Sequence, residues 1–219
     1  MESESRSYNP GSIYRPKPLV IVRPESSLFL VLTSWTSQAE AERAGQHIVE
    51  QIEQDQNTDF TRLGDSTQAF FDGTSKLRQA IQTTGQAIYK QSNQKQARLL
   101  IEALVIRIQG NSLIWAQAGQ PNLYLIRKNR LAPLVVQPDH SILDPGLPPL
   151  PSLGLGLEAH TPIQSGVTRY EPGDRLLCLA QSWEPSWPSW SETPSFAAIT
   201  SHLIEENPDL AYWCSLLSL

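Results

Sequence analysis

Between residues 97 and 136 the sequence runs "ARLLIEALVIRI", "SLIWAQA", "NLYLIR" and "LAPLVV", four apolar stretches separated only by short turn signals. Those signals are Gly110-Asn111, Gly119-Gln120-Pro121 and Lys128-Asn129. Connections this short cannot hold a crossover, so the spacing predicts a meander of antiparallel strands. The β-branched and aromatic content of each stretch favours the same extended backbone.

Elements on either side extend the pattern. Residues 18–23 and 27–35 read as strands around Pro24-Glu25-Ser26-Ser27. Ala41, Ala44, Ile48 and Ile52 form one stripe at helical period. A second helix is expected over 74–91, with Leu77, Ile81 and Ile88 on one face and Thr74 or Ser75 as N-cap. The polar connection between the helices, 55–73, carries one aromatic pair, Phe70-Phe71. Residues 143–162 are a Pro/Gly-rich excursion too broken for either period. Residues 170–183 read as a turn feeding a buried strand, 196–206 as a helix with Phe196, Ile199 and Leu203 in register, and 210–219 as a strand. The first 17 residues are polar, with Pro and Gly, and read as a flexible arm. The rest, 18–219, is expected to be a single α+β domain whose helices cover two antiparallel sheets. No internal repeat is seen.

Composition removes several classes of function. A formal net charge of -5 argues against a phosphate-backbone binder, so no nucleic-acid partner is expected. The basic cluster Arg127-Lys128-Asn129-Arg130 sits at a turn and reads as solvated. Cys178 and Cys214 lie in separate apolar runs and read as small buried hydrophobes. No apolar run approaches the roughly 18 residues that span a membrane, and "MESESRSYNPGS" has no apolar signal core. The expectation is a cytoplasmic protein without membrane contact. His47, His160 and His202 show no ligand-pair spacing, and His140 reads as part of a turn. Gly154 and Gly156 lack the third glycine and capped helix of a phosphate cradle.

Several stretches, in this order, resemble the metal-dependent protein phosphatases of type 2C. "QGNSLIWAQAGQPNLYLIRKNRLAPL" is similar to that family's central hairpins, in which a Gly-Asp turn precedes a Ser-Arg-Ala/Leu-Tyr strand. "QPDHS" resembles the Asp-His-Ser that follows, and "YEPGDRLLCLAQSW" the Pro-Gly-Asp-Arg-Leu-Leu strand that runs into a Ser-Asp-Gly motif. The resemblance covers nearly the whole chain after the arm and implies a four-layer αββα sandwich. It also implies a chemistry in which two Mg2+ or Mn2+ ions, held by aspartates, share a water that attacks phosphorus.

Most of the aspartates of that resemblance are missing here. The early Asn-Glu-Asp motif falls on Pro16-Lys17-Pro18, with Pro18 in the ligand position. The Asp-Gly motif after the second strand falls on Ser34-Trp35, the central Gly-Asp on Gly119-Gln120, and the late Ser-Asp-Gly on Ala180-Gln181-Ser182. In the final Asp-Asn pair Asp209 survives, followed by Leu210. One carboxylate offsets one of the four positive charges of two divalent ions, so a bimetal centre is not expected. Asp209 offers at most weak Mg2+ or Mn2+ binding. Gln120 and Gln181 instead supply hydrogen bonds across the emptied cleft.

The sequence therefore reads as a pseudophosphatase: no catalytic residues, no cofactor, and a regulatory role through a protein partner such as a kinase or phosphoprotein. A phosphatase with weak or altered metal-dependent activity, using Asp209, is the alternative. A third reading, an N-terminal-nucleophile hydrolase, conflicts with the arm ahead of the first strand. In "QSWEPSWPSWSETPS", Trp183, Trp187 and Trp190 have helical spacing, but Pro185 and Pro188 forbid a regular helix. These indoles, with Trp35, are candidates for a partner-binding surface. The competing reading has the loop fold back to cap a sheet edge or fill the cleft.

Overall fold

The computed structural model describes residues 2–11, 14–56, 66–95, 99–137, 151 and 153–219. In chain order the first elements are β1 (Glu2–Tyr8), β2 (Leu19–Arg23), β3 (Leu28–Ser34), α1 (Gln38–Gln56), α2 (Ser66–Lys95), β4 (Ile101–Gln109) and β5 (Ser112–Ala118). There follow β6 (Asn122–Arg127), β7 (Arg130–Val135), β8 (Gln164–Arg169), β9 (Arg175–Ala180), α3 (Phe196–Glu206) and β10 (Tyr212–Ser218). They divide between two compact units, one of Met1–Lys17, Gln120–Ser152 and Glu171–Leu219, the other of Pro18–Gly119 and Leu153–Tyr170. Each unit holds one antiparallel sheet, so the α+β class expected from the sequence is the class observed.

In the second unit the strands run β2-β3-β4-β5-β8 and carry α1 and α2 on one face. Alternation explains the packing: Leu28, Leu30 and Leu32 of β3 and Ala103 and Val105 of β4 meet Ile48 and Ile52 of α1 and Leu77 and Ile81 of α2. The alternate set, Phe29, Val31, Leu104, Ile106 and Leu113, is also buried, so these strands read as continuous apolar runs. The helix α2 starts at Ser66, not near Thr74, because nothing from 66 to 73 breaks it. Even Gly73 serves packing: a Cβ there would meet Ile114 Cδ1 of β5 at 2.6 Å. Phe70 and Phe71 fall within this helix, and residues 57–65 of the expected connection lie outside the described residues.

In the first unit the order is β1-β10-β9-β6-β7, with α3 on one face. Tyr124, Leu177, Leu179, Tyr212 and Leu216 of the sheet pack on Ile199 and Leu203 of α3. The helix starts where Ser195 Oγ accepts from the Ala198 N–H, a side-chain N-cap. The Pro-Gly-Asp turn is locked by Asp174, whose carboxylate accepts from Arg127 Nε and Nη2 at 3.0 and 2.7 Å and from the Glu171 N–H at 2.8 Å. Arg127, read as solvated turn charge, is thus a structural tie between β6 and the turn before β9.

Three expectations are corrected. Residues 2–8 are not a flexible arm: β1 pairs in register with β10 from Glu2↔Ser218 to Tyr8↔Tyr212. Its side chains are mostly exposed, so main-chain hydrogen bonds hold it and no apolar period announces it. The meander is also not continuous. Gln109↔Ser112 and Arg127↔Arg130 close hairpins as expected, but β5 and β6 belong to different sheets. At the break Gly119 has φ +79°, and Pro121, after a cis peptide bond, has no N–H to give a hairpin. Finally β8 adds a strand, "QSGVTR", at residues assigned to no element, because it is polar, short and interrupted by Gly166. Of the Pro/Gly excursion, 143–150 and residue 152 lie outside the described residues.

Gly119 is fixed twice over. Besides its positive φ, a Cβ would meet Leu153 O at 2.5 Å and Glu102 Cγ at 2.6 Å. Gly119→Ala is expected to cost about 3 kcal/mol, read by chemical denaturation, whereas Gly110→Ala, with positive φ but open space around it, costs about 1.

Candidate functional site

Gln120 follows the kink at Gly119 and is 3% exposed. Its amide is committed at both ends. Oε1 accepts from Arg15 Nη1 at 3.0 Å, while Nε2 donates to the carbonyls of Gln181 at 2.9 Å and Gln137 at 3.4 Å. Arg15 Nη2 donates to Ser182 Oγ at 2.8 Å, and the Arg15 N–H donates to Asn9 Oδ1 at 3.2 Å. The Gln137 N–H donates to Asn122 Oδ1 at 2.6 Å. All of these residues belong to the first unit, where six of them (Arg15, Gln120, Asn122, Gln137, Gln181 and Ser182) are under 9% exposed.

The two glutamines that stand at aspartate positions of the resemblance are therefore joined by a direct hydrogen bond. Arg15, which links them to Ser182, was missed because it lies in "IYRPKP", inside the expected arm. A lone arginine next to a proline carries no periodic signal. Among the described residues Gln137 Oε1 and Gln181 Oε1 are buried without a hydrogen-bond partner, an arrangement that protein interiors tolerate rarely.

The other positions each belong to one unit. Pro18 is buried just ahead of β2 in the second unit. Ser34 ends β3, and its Oγ accepts from the N–H groups of Thr36 and Ser37 at 3.3 and 3.1 Å, shaping the turn into α1. Trp35 Nε1 donates to the buried carboxylate of Glu102 at 2.9 Å, also in the second unit. Asp209 is exposed in the turn before β10. His47 hydrogen-bonds Thr84 across α1 and α2 at 2.7 Å, and His140 lies outside the described residues.

These residues do not fit a bimetal centre. Among the described residues no three His, Cys, Asp or Glu side chains stand together as a metal-holding group. The Gln120 oxygen is already taken by a guanidinium, and neutral amides leave the charge of two divalent ions without its usual offset.

The Trp/Pro loop folds back on its own unit. Trp183 is 9% exposed, packs in the α3 core and meets Tyr212 edge-on at 6.2 Å between ring centroids. Trp187 lies against Tyr124, Trp190 and His202 at 5.6, 6.0 and 6.0 Å, and Trp190 also meets His202 at 6.5 Å. Both of these indoles are half-buried. One carboxylate fastens the loop to α3. Glu206 accepts from Trp183 Nε1 at 3.1 Å and from the Ser186 N–H and Oγ–H at 2.7 and 2.6 Å.

Burial pushes the Glu206 carboxyl up, but the Ser186 and Trp183 donors and the nearby His202 outweigh it and hold it below its ordinary value. A depressed carboxylate contributes stability above its unfolded value and loses it as pH falls through the folded one. The stability gap between the wild-type chain and Glu206→Gln is thus expected to be constant near neutrality and to shrink below about pH 4.5. Thermal melts across that range measure it.

No protein-family profile and no characterised protein matches the sequence. Solved structures do match the fold. PppA, described as a key regulatory component of T6SS in Pseudomonas aeruginosa, is 14% identical, with a TM-score of 0.66 over 99% of this chain and 96% of that one. The S. agalactiae serine/threonine phosphatase is 12% identical, with a TM-score of 0.65 over 100% and 99%. The catalytic domain of the serine/threonine phosphatase PstP in complex with 2 manganese ions is 17% identical, with a TM-score of 0.59 over 99% and 97%. The chain thus has the fold of these phosphatases over its whole length, as the resemblance in its sequence implied.

Proposed function

We propose that this chain is a pseudophosphatase, a phosphatase-like domain that regulates by binding a protein partner, a kinase or a phosphoprotein, and hydrolyses no phosphoester. The observation that carries the reading is Gln120. At the turn where the resemblance expects a metal-binding aspartate, it holds an amide engaged by Arg15 and by the Gln181 and Gln137 carbonyls. A ligand position converted to a satisfied internal hydrogen-bond node has lost its metal function and kept a structural one. PppA, a protein of this fold described as a regulatory component, supports a regulatory use.

The partner surface we propose is the half-buried pair Trp187 and Trp190, on a loop fastened to α3 through Trp183 and Glu206; Trp35 presents a separate indole in the second unit. Half-exposed indoles on a fixed framework supply contact area at little entropic cost. Trp187→Ala and Trp190→Ala are expected to leave the melting temperature within a few degrees and to weaken capture of phosphoprotein and kinase partners at least about tenfold. Unchanged capture by both variants would remove the loop from the account.

A further inference from the structure

The strand β1 is the outer strand of its sheet, and among the described residues nothing pairs with its free side. Proteins commonly blunt such edges with proline, bulges or charged side chains. The opposite edge of the same sheet follows that practice: β7 contains Pro133, and its pairing with β6 slips between Leu123 and Tyr124. In contrast, β1 is seven residues in unbroken register with β10, without proline, and its charges are of both signs.

Its sequence, "ESESRSY", is self-complementary. Tyr8 stacks on Tyr212 at 5.4 Å and Arg6 Nη1 donates to Thr200 Oγ1 of α3 at 3.3 Å. Glu2, Glu4, Arg6 and Tyr8 therefore share the α3 face, and Ser3, Ser5 and Ser7 the other. We propose that β1 is the interface of a homodimer, pairing antiparallel with β1 of a second copy and continuing the sheet through both. A two-fold axis normal to the sheet keeps each face on its own side, so residues meet only partners of the same face. With Ser5 on Ser5 at the axis, Glu4 lies opposite Arg6 twice and Ser3 opposite Ser7. Sliding one way sets Glu4 against Glu4 beside two pairs of Glu2 with Arg6, and sliding the other way sets Arg6 against Arg6 with no unlike pair. Only the Ser5-centred register has unlike pairs and no like one. Unlike charges directly opposite stabilise a strand pair and like charges destabilise it, so the sequence selects one register.

The test uses the full chain in sedimentation velocity across the micromolar range. The wild-type chain is expected to dimerise, and Glu4→Arg and Arg6→Glu, each alone, to raise the dissociation constant at least about tenfold. An equimolar mixture of the two single variants sets a strand with arginine at both positions against a strand with glutamate at both. Every cross-strand charge pair is then again unlike, so the mixture is expected to dimerise, as is the double charge swap. Because these side chains are exposed on the strand, the variants are expected to keep the circular-dichroism spectrum of the wild-type chain, which separates a lost dimer from a lost fold. A wild-type chain that stays monomeric throughout, single variants that remain dimeric, or a mixture that fails to recover would each overturn the interface. None of these outcomes bears on phosphatase activity, so the interface and the proposed function fail independently.

Discussion

Arg15→Ala lowers the stability of the folded chain by about 3 kcal/mol in chemical denaturation, equivalent to a melting temperature lower by about 10 °C. Arg15 is 2% exposed and donates to Gln120 Oε1 and Ser182 Oγ. Hydrogen bonds to a charged group are worth about 1.5–3 kcal/mol each, and removing the donor leaves both acceptors buried without it. Arg15→Lys recovers at most about half, since an ammonium cannot reach two acceptors with a planar fork. Equal stability of Arg15→Ala and the wild-type chain would mean that the glutamine node holds itself together without Arg15.

Trp183→Ala produces a loss of similar size, about 3–5 kcal/mol, as expected for emptying a buried indole site. It removes the edge-on contact with Tyr212 and one of the bonds that Glu206 uses to fasten the loop. Trp190→Ala, at the half-buried end of the same loop, costs under about 1 kcal/mol. Parallel urea titrations of the two variants read the contrast. If both were equally mild, the loop would be loosely seated and the anchored-handle geometry would be lost.

The elements that the sequence announced are those whose apolar residues keep a period or run unbroken between turn signals. The stripe of Ala41, Ala44, Ile48 and Ile52 became α1, Phe196, Ile199 and Leu203 lie in α3, and the Gly110-Asn111 and Lys128-Asn129 hairpins formed. What escaped has no such period. The strand β1 is held by main-chain pairing with exposed side chains, and β8 is polar and broken by a glycine. The break between β5 and β6 escaped because Gly119-Gln120-Pro121 carries the same letters as a hairpin turn, and only the sheet that each strand joins tells them apart. At the site, the glutamines were legible because their positions are defined by flanking turns. Arg15 was not, since its role depends on residues more than a hundred positions away.

Cys178 and Cys214 illustrate where composition was a sound guide. Both are buried and free, and burial pushes both thiols up, the Cys214 thiol to about 12. Thiols held so far from ionisation are poor nucleophiles and poor metal ligands at neutral pH. They pack as small hydrophobes.

A phosphatase fold that persists without its metal chemistry has a plain signature in solution. The chain is titrated with Mn2+ and Mg2+ in a calorimeter, and aryl-phosphate and phosphopeptide hydrolysis are followed on the same samples. No binding heat at millimolar metal and no turnover above the metal-only control are expected. Stoichiometric binding together with hydrolysis that Asp209→Ala abolishes would overturn the pseudophosphatase reading and restore the enzyme.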